Sequence, residues 1–420
     1  MSGAVAADET TGAPQADAPP EPPRQLNVGV IGVGGQGAGH VRNLANTPTA
    51  KVVALCDVDV NHLVHAARIC TDAKVYVDFR DMLRHPELHA VLISTPDHTH
   101  AVMCAAALRA GKHVYCEKPL THTVAEARAI TDLAQQSGLV TQLGIQMHAP
   151  DNFRRVVELL RAGAIGTVRD VHIWHQRERG KIDTSEAPPP ATLNYDLWLG
   201  PVPPRPYKAS FHPFYWRQWW AFGTGMLGDI GCHLMDAAFW ALDLKYPTRV
   251  STQGAGLSDE FTAEWTIATY EFPARGEMPP VKLTWYDHPQ VPPDRAQWPL
   301  DPKYLEGVMF IGEQGMLFTN LWEHMLLPQE KFASYERPPQ TIASSPGHMQ
   351  EWIDASLAND PAAVSAPFAY GGPLTECALL GTVAFRAQQS LEWDAANLRI
   401  PNAPDAERFL ADPYRPGWEL

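Results

Sequence analysis

Asp229 and His233 lie four residues apart in the segment Gly228-Asp229-Ile230-Gly231-Cys232-His233-Leu234-Met235-Asp236. On a helix that spacing projects both side chains from one face, and Asp236, seven residues after Asp229, adds a third. A carboxylate beside an imidazole orients the ring and raises its basicity, which prepares a general base able to take the proton of an alcohol. The competing reading is Asp229 as a helix N-cap and His233 as a side chain satisfied within a domain interface. His and Asp at this spacing also serve as metal ligands, yet no further His or Cys cluster at ligand spacing accompanies them, and no metal is expected.

Lys118 offers a complementary group. It stands in Glu117-Lys118-Pro119 at the end of an apolar run, where a buried strand would end at the rim of a sheet and Pro119 stiffens the chain. That position puts Lys118 near the nicotinamide end of a dinucleotide bound along the same rim; a surface ion pair with Glu117 is the alternative. The rim itself is announced by Gly32-Val33-Gly34-Gly35-Gln36-Gly37, a GxGxxG turn directly after one apolar run and directly before a helical stretch. Gly32 permits the tight turn, Gly34 lets backbone approach a pyrophosphate, and Gly37 lets helix and strand pack closely, with the helix N-terminus facing the diphosphate.

Asp57 follows Gly37 by 20 positions at the end of the second run, where a carboxylate accepts hydrogen bonds from the adenosine ribose. It would repel a 2′-phosphate, and no Arg follows in Asp57-Val58-Asp59-Val60, so NAD is favoured over NADP. A glycine turn in some other α/β protein, with Asp57 an ordinary loop acid, is the alternative. Ser94-Thr95-Pro96-Asp97 marks another strand end, with Thr95 and Pro96 the expected cofactor contacts alongside Glu117 and Lys118, and Asp97 and His98 read as a turn with a helix cap.

The elements that must position these residues are legible as alternation. LNVGVIGVG, KVVALCDVD, HAVLISTP, KHVYCEKP and VTQLGIQ are short runs apolar on both faces, as strands between helix layers require. Helical periodicity falls between them, at 39–45, 62–69, 100–110 and 124–137. The expectation is a Rossmann domain with a doubly wound parallel sheet over residues 26–148. From 149 to 420 the texture changes to α+β. A helix at 152–161 precedes a Pro- and Trp-rich stretch at 187–222, too irregular for regular structure and too aromatic for a loose linker. The alternating runs VRDVHIWHQ, AEWTIATYEF, PVKLTWYDH, GVMFIGEQG and GMLFTNL then predict a large open, mostly antiparallel sheet, with helices at 348–358 and 374–389.

Composition narrows the function classes. Thirty-three Lys plus Arg against 47 Asp plus Glu leave a net charge of −14, which repels nucleic acid and anionic membranes. No stretch approaches the roughly 20 apolar residues of a membrane span. The six cysteines are scattered in apolar runs without a CxxC pair, as buried thiols in a reducing compartment are. Residues 1–25 lack a basic and an apolar region, so they read as a disordered tail, with a cytoplasmic location expected and a periplasmic one left open should a native export signal be missing from the chain.

Together GVIGVGGQG, CDVD, STPDHTH, CEKPLTHTVAEA and GDIGCHLMD resemble the Gfo/Idh/MocA oxidoreductases over about residues 26–400. The resemblance implies a Rossmann domain followed by an α/β domain used for oligomer contacts, and hence a homodimer or homotetramer. It implies NAD-dependent hydride transfer with a sugar or cyclitol hydroxyl, in which Lys118 orients the hydroxyl and Asp229 with His233 provides acid/base function. Gln146 matches a polar family position, whereas Met147-His148 stands where an Arg is usual. YDLWLGPVPPRPY and FHPFYWRQWWAFG resemble a bacterial subgroup. There Trp216, Trp219 and Trp220 either stack on sugar faces or pack a long loop, and Arg217 could hold a hydroxyl or carboxylate. Two other readings keep the same residues: a glycosidase that oxidises, eliminates and re-reduces without net redox, and a non-catalytic dinucleotide sensor.

Overall fold

Val, Ile and Leu on both faces of a strand leave it no solvent side, and the first half of the chain resolves this by sandwiching its strands between helices. The computed structural model describes residues 25–420; apart from Gln25, the expected tail at 1–25 lies outside the described residues. Strands β1 (Leu26–Ile31), β2 (Ala50–Cys56), β3 (Lys74–Tyr76), β4 (Ala90–Ile93), β5 (His113–Glu117) and β6 (Thr141–Gly144) form one sheet in the order β3-β2-β1-β4-β5-β6. Every pairing is parallel. Chain direction around the sheet reverses between β1 and β4, which opens a crevice at the carboxyl ends of the strands.

β3 has no counterpart among the apolar runs of the sequence. It is a three-residue edge strand with no buried side chain, so no hydrophobic pattern marks it. The helix predicted at 124–137 is observed as Val124–Ser137, and its start is fixed by a reciprocal capping box between Thr123 and Glu126.

The second sheet has eight strands: β7 (Val168–Trp174), β8 (Arg249–Ala255), β9 (Trp265–Phe272), β10 (Val281–Tyr286), β11 (Gly307–Gly312), β12 (Gly315–Thr319), β13 (His324–Leu327) and β14 (Leu391–Glu392). They lie in the order β13-β12-β11-β7-β10-β9-β8-β14. Only β7 with β10 is parallel; the other pairings are antiparallel. The helices Asp151–Arg161, Gly225–Ala241 and Phe368–Ala387 cover one face of this sheet and share its core. Among the described residues no helix is long and apolar enough to cross a membrane.

Two placements cut across the sequential order. The helix His348–Ala358, read from sequence as part of the second half, seals a face of the first sheet: Met349, Trp352, Ile353 and Ala355 join the core of β1, β2 and β4. The Pro/Trp stretch forms its own aromatic cluster, with Trp198 and Phe222 ring centroids 4.6 Å apart and Phe211 and Trp219 4.9 Å apart. It is stitched to the first half by backbone hydrogen bonds from Val60 N to Thr192 O (3.0 Å) and from Asn194 N to Val58 O (2.8 Å).

Candidate active site

The GxGxxG turn needs space that only glycine leaves. Gly32 has φ of +78°, and a Cβ there would sit 2.5 Å from the Ser94 carbonyl oxygen; a Cβ on Gly37 would sit 1.8 Å from the Gly32 oxygen. Gly37 therefore does not face the crevice but lets the following helix, Gly35–Ala45, press onto β1. Asp57, just past β2, closes the turn from below: its Oδ2 accepts from Val33 N at 2.8 Å and its Oδ1 from Asp59 N at 2.9 Å.

A cleft of about 770 Å³ runs from this turn to the second domain, within the roughly 300–1,000 Å³ typical of small-molecule and cofactor sites. Gly32, Gly34, Asp57, Thr95 and Pro96 line one end; Glu117, Lys118, Gln146, Arg217, Asp229 and His233 line the other. A cradle of glycines that admits no Cβ, an acid at the end of β2 and a switch-point crevice fit NAD, and the same residues would hold it.

At the end nearer the second domain Lys118 crosses 111 positions of sequence to Asp229. Its Nζ donates to the Asp229 carbonyl oxygen at 2.5 Å and to the Asp229 carboxylate. Arg217 Nε lies 3.5 Å from the same carboxylate. Burial alone would push the Asp229 carboxyl up, but the Lys118 and Arg217 charges and the Lys118 hydrogen bond outweigh it and hold the group well below the usual carboxylate range. Asp229 does not cap its helix; the N-cap position is Thr224.

His233 corrects one expectation. Burial, and next the Lys118 ammonium, lower its pKa to about 4, outweighing the upward pull of the Glu117, Asp229 and Asp236 carboxylates. Asp236 is engaged elsewhere. It is fully buried and accepts from His148 Nδ1 at 2.9 Å and from the Tyr370 hydroxyl at 2.6 Å, while the His148 ring stacks on Trp240 with centroids 4.0 Å apart. His148 thus anchors the helix Gly225–Ala241 to the end of β6. The His233 Nδ1 is buried without a partner, which leaves Nε2 as the nitrogen that meets the cleft.

Glu117 ties the walls together. His40 Nε2 lies 2.7 Å from Glu117 Oε1, and Gln146 Nε2 donates to the same oxygen at 2.7 Å and to the Tyr115 hydroxyl at 3.1 Å. Burial would raise this carboxyl, yet the His40 hydrogen bond and the His40 and Lys118 charges hold it below its usual range. One carboxylate therefore joins the glycine-turn helix, β5 and the segment after β6. Gln146 lines the cleft with its amide already engaged.

Trp220 is the clearest departure from expectation as a substrate contact. Its indole nitrogen donates to Ser258 O at 3.1 Å, its ring lies under the Arg386 guanidinium at 5.1 Å, and it faces away from the cleft. Trp219 is buried at 1% exposure. Trp216 alone of the three lines the cleft, with the Arg217 guanidinium 4.1 Å over its ring. The side-chain direction of an aromatic in irregular chain has no period to read, which is why sequence could not separate the three.

Sequence reasoning also missed Asp97 as a wall of the cleft. It is buried, accepts from Thr224 Oγ1 at 2.8 Å, and burial raises its carboxyl above the usual range. His98 instead packs away from the site, bonded to the Trp198 and Phe222 carbonyls, and burial lowers its pKa to about 3. His62, His212 and Trp418 line the cofactor end; no motif points to them.

Asp57→Ala is expected to weaken NADH binding roughly 10- to 100-fold, since a hydrogen bond to a charged group contributes about 1.5–3 kcal/mol. Fluorescence titration of NADH checks this; unchanged affinity would remove Asp57 from the site.

A glycine-turn Rossmann sheet joined to a second α/β domain across a shared cleft defines an NAD-binding protein of two α/β domains. Its particular family is Gfo/Idh/MocA, to which the chain belongs. Residues 26–145 match the model described as "Oxidoreductase family, NAD-binding Rossmann fold" and residues 164–277 the one described as "Oxidoreductase family, C-terminal alpha/beta domain". An inositol 2-dehydrogenase of Salmonella typhimurium is 32% identical over 153 residues, 36% of this chain and 46% of that protein. The chain thus spans about half the length of the curated relatives it matches. Among solved structures, GenD2 from gentamicin A biosynthesis in complex with NAD superposes with a TM-score of 0.63 at 18% identity, covering 90% of this chain and 100% of that one. Myo-inositol dehydrogenase from Lactobacillus casei in complex with NAD(H) and myo-inositol gives 0.59 at 21% identity, over 88% and 97%.

Proposed function

We propose that the protein oxidises a secondary hydroxyl of a sugar, glycoside or cyclitol, or reduces the corresponding ketone. The observation that carries this is the meeting of Lys118, paired with Asp229, and His233 in one cleft with the glycine turn. NAD, when bound, supplies the nicotinamide that accepts the hydride. Lys118, oriented from below by Asp229, presents a cation to the reacting oxygen and stabilises the negative charge that develops as its proton leaves. His233 receives that proton at Nε2. Trp216 offers an aromatic face to the ring of the substrate and Arg217 a donor to its hydroxyls. The inositol dehydrogenases among the relatives and the levoglucosan dehydrogenase among the solved structures support a polyol of this size.

The low basicity of His233 sets the pH dependence. An imidazole with pKa about 4 is neutral, and so competent as a base, at every pH above that value. In the oxidation direction kcat/KM is expected to persist as pH falls from 7 to 5 and to drop only near 4, where an unperturbed histidine would lose activity near 6.5. A measured acid limb near 6.5 would show that His233 is not the titrating base.

The function is tested by offering sugars, glycosides and inositols with NAD while following both NADH absorbance and aglycone release. NADH accumulation is the expected result. Aglycone release without NADH replaces the proposal by redox-neutral elimination. NADH binding without turnover of any substrate replaces it by a dinucleotide sensor. The large sheet is taken as the oligomer surface, so light scattering is expected to give a dimer or tetramer.

A further inference from the structure

We propose that Asp59, His62 and His212 form a binding site for a divalent transition-metal cation of the zinc class, at the adenosine end of the cleft. One carboxylate oxygen and one ring nitrogen from each histidine lie within 4.8 Å of one another. Tetrahedral bonds of about 2 Å place ligands roughly 3.3 Å apart, so a small closure of side chains completes the set. His212 Nε2 is already 3.1 Å from Asp59 Oδ2, and the two imidazole centroids are 5.4 Å apart.

The donor chemistry selects the ion. Two imidazoles and one carboxylate suit zinc, cobalt or nickel and leave magnesium and calcium, which take oxygen shells, poorly served. Outer partners are in place as well. Asp59 is fixed as a helix cap by accepting from Asn61 N at 2.9 Å through Oδ1, which turns Oδ2 to the histidines. His62 Nδ1 stands 3.3 Å from Asp57 Oδ2; a proton shared there leaves the ring lone pair on Nε2, the carboxylate–histidine–metal arrangement that sharpens a ligand. Both histidines line the cleft, which gives an ion a path of entry and an open fourth position for water.

Asp59 and His62 belong to the turn after β2, and His212 to the aromatic segment. An ion bound to all three fastens that segment to the Rossmann sheet. Because such a set does not exist in the unfolded chain, binding raises the melting temperature.

Chelator-treated full-length protein is titrated with zinc chloride, with bound metal counted by elemental analysis after equilibrium dialysis. One equivalent per chain is expected, with a higher melting temperature, and no such binding of magnesium or calcium. His212→Phe, which keeps an aromatic ring in the cluster, is expected to weaken zinc binding by at least about 100-fold, since loss of an outer partner of a ligand alone costs about 10- to 100-fold. Should that variant fail to fold by circular dichroism, His62→Gln, at a side chain 25% exposed, serves in its place with the same expectation. His233→Asn is expected to keep the full equivalent. Absence of saturable zinc binding, binding unchanged in His212→Phe or His62→Gln, or binding lost in His233→Asn overturns the proposal. NADH titration of the zinc-free, unsubstituted protein reports the dinucleotide site independently of the ion.

Discussion

Replacing Lys118 by methionine is expected to lower kcat by roughly 10²- to 10³-fold, the usual cost of removing one group that stabilises developing negative charge, with NADH affinity changed little. The size follows from what the ammonium does. It is the nearest cation to the Asp229 carboxylate, with the Arg217 guanidinium at 3.5 Å the other ion-pair partner among the described residues. Without it the carboxylate keeps only the Arg217 guanidinium in a partly desolvated wall, and the positive charge that stabilised a developing alkoxide is lost. The glycine turn and Asp57 are at the opposite end of the cleft, which is why cofactor binding is spared. Steady-state kinetics alongside NADH fluorescence decide the matter: full turnover in the variant would remove Lys118 from the mechanism, and a parallel collapse of NADH affinity would assign it to the cofactor instead.

Trp352→Ala is expected to cost roughly 3–5 kcal/mol of stability, the range for emptying a buried tryptophan site. Trp352 is 0% exposed and meets Tyr115, itself 0% exposed, edge-on at 5.7 Å. Tyr115 stands on β5 two residues before Glu117, so the cavity would open beneath the strand that carries Lys118. Urea denaturation of both proteins measures the effect, and a loss below about 1 kcal/mol would mean that the helix His348–Ala358 is not a structural part of the first sheet's core.

The Rossmann half was largely legible because its chemistry is local. Buried parallel strands must be continuous apolar runs, the turn must be glycine-rich, and Asp57 follows at a fixed interval. β3 escaped because an exposed edge strand carries no apolar pattern, and β8, RVSTQGA, because its sequence alternates too weakly. β13 and β14 are too short to register. The helix at 374–389 in fact begins at Phe368, with Pro373 near its start masking the first turn.

Residues that meet in the cleft were legible in the sequence, and the contacts that set their charges were not. Lys118, Asp229 and His233 were each marked by local spacing, and the cleft holds all three. That Asp229 would serve Lys118, that Asp236 would serve His148, and that His233 would become less basic are facts of contacts between residues remote in sequence. Trp216 and Trp220 show the same limit: four positions apart in an irregular chain, one lines the cleft and the other pins Ser258.

The seat of Trp352 has a temporal meaning for synthesis. The sheet that begins at Leu26 has one face covered only in part, by Val41, Leu44, Leu63 and Ala66, until Met349, Trp352, Ile353 and Ala355 have left the ribosome, so the core of this half is completed late in synthesis. A chain cut after residue 148 would leave the part of that face beneath Trp352 open to water, and is expected to be less stable than the same residues within the whole chain.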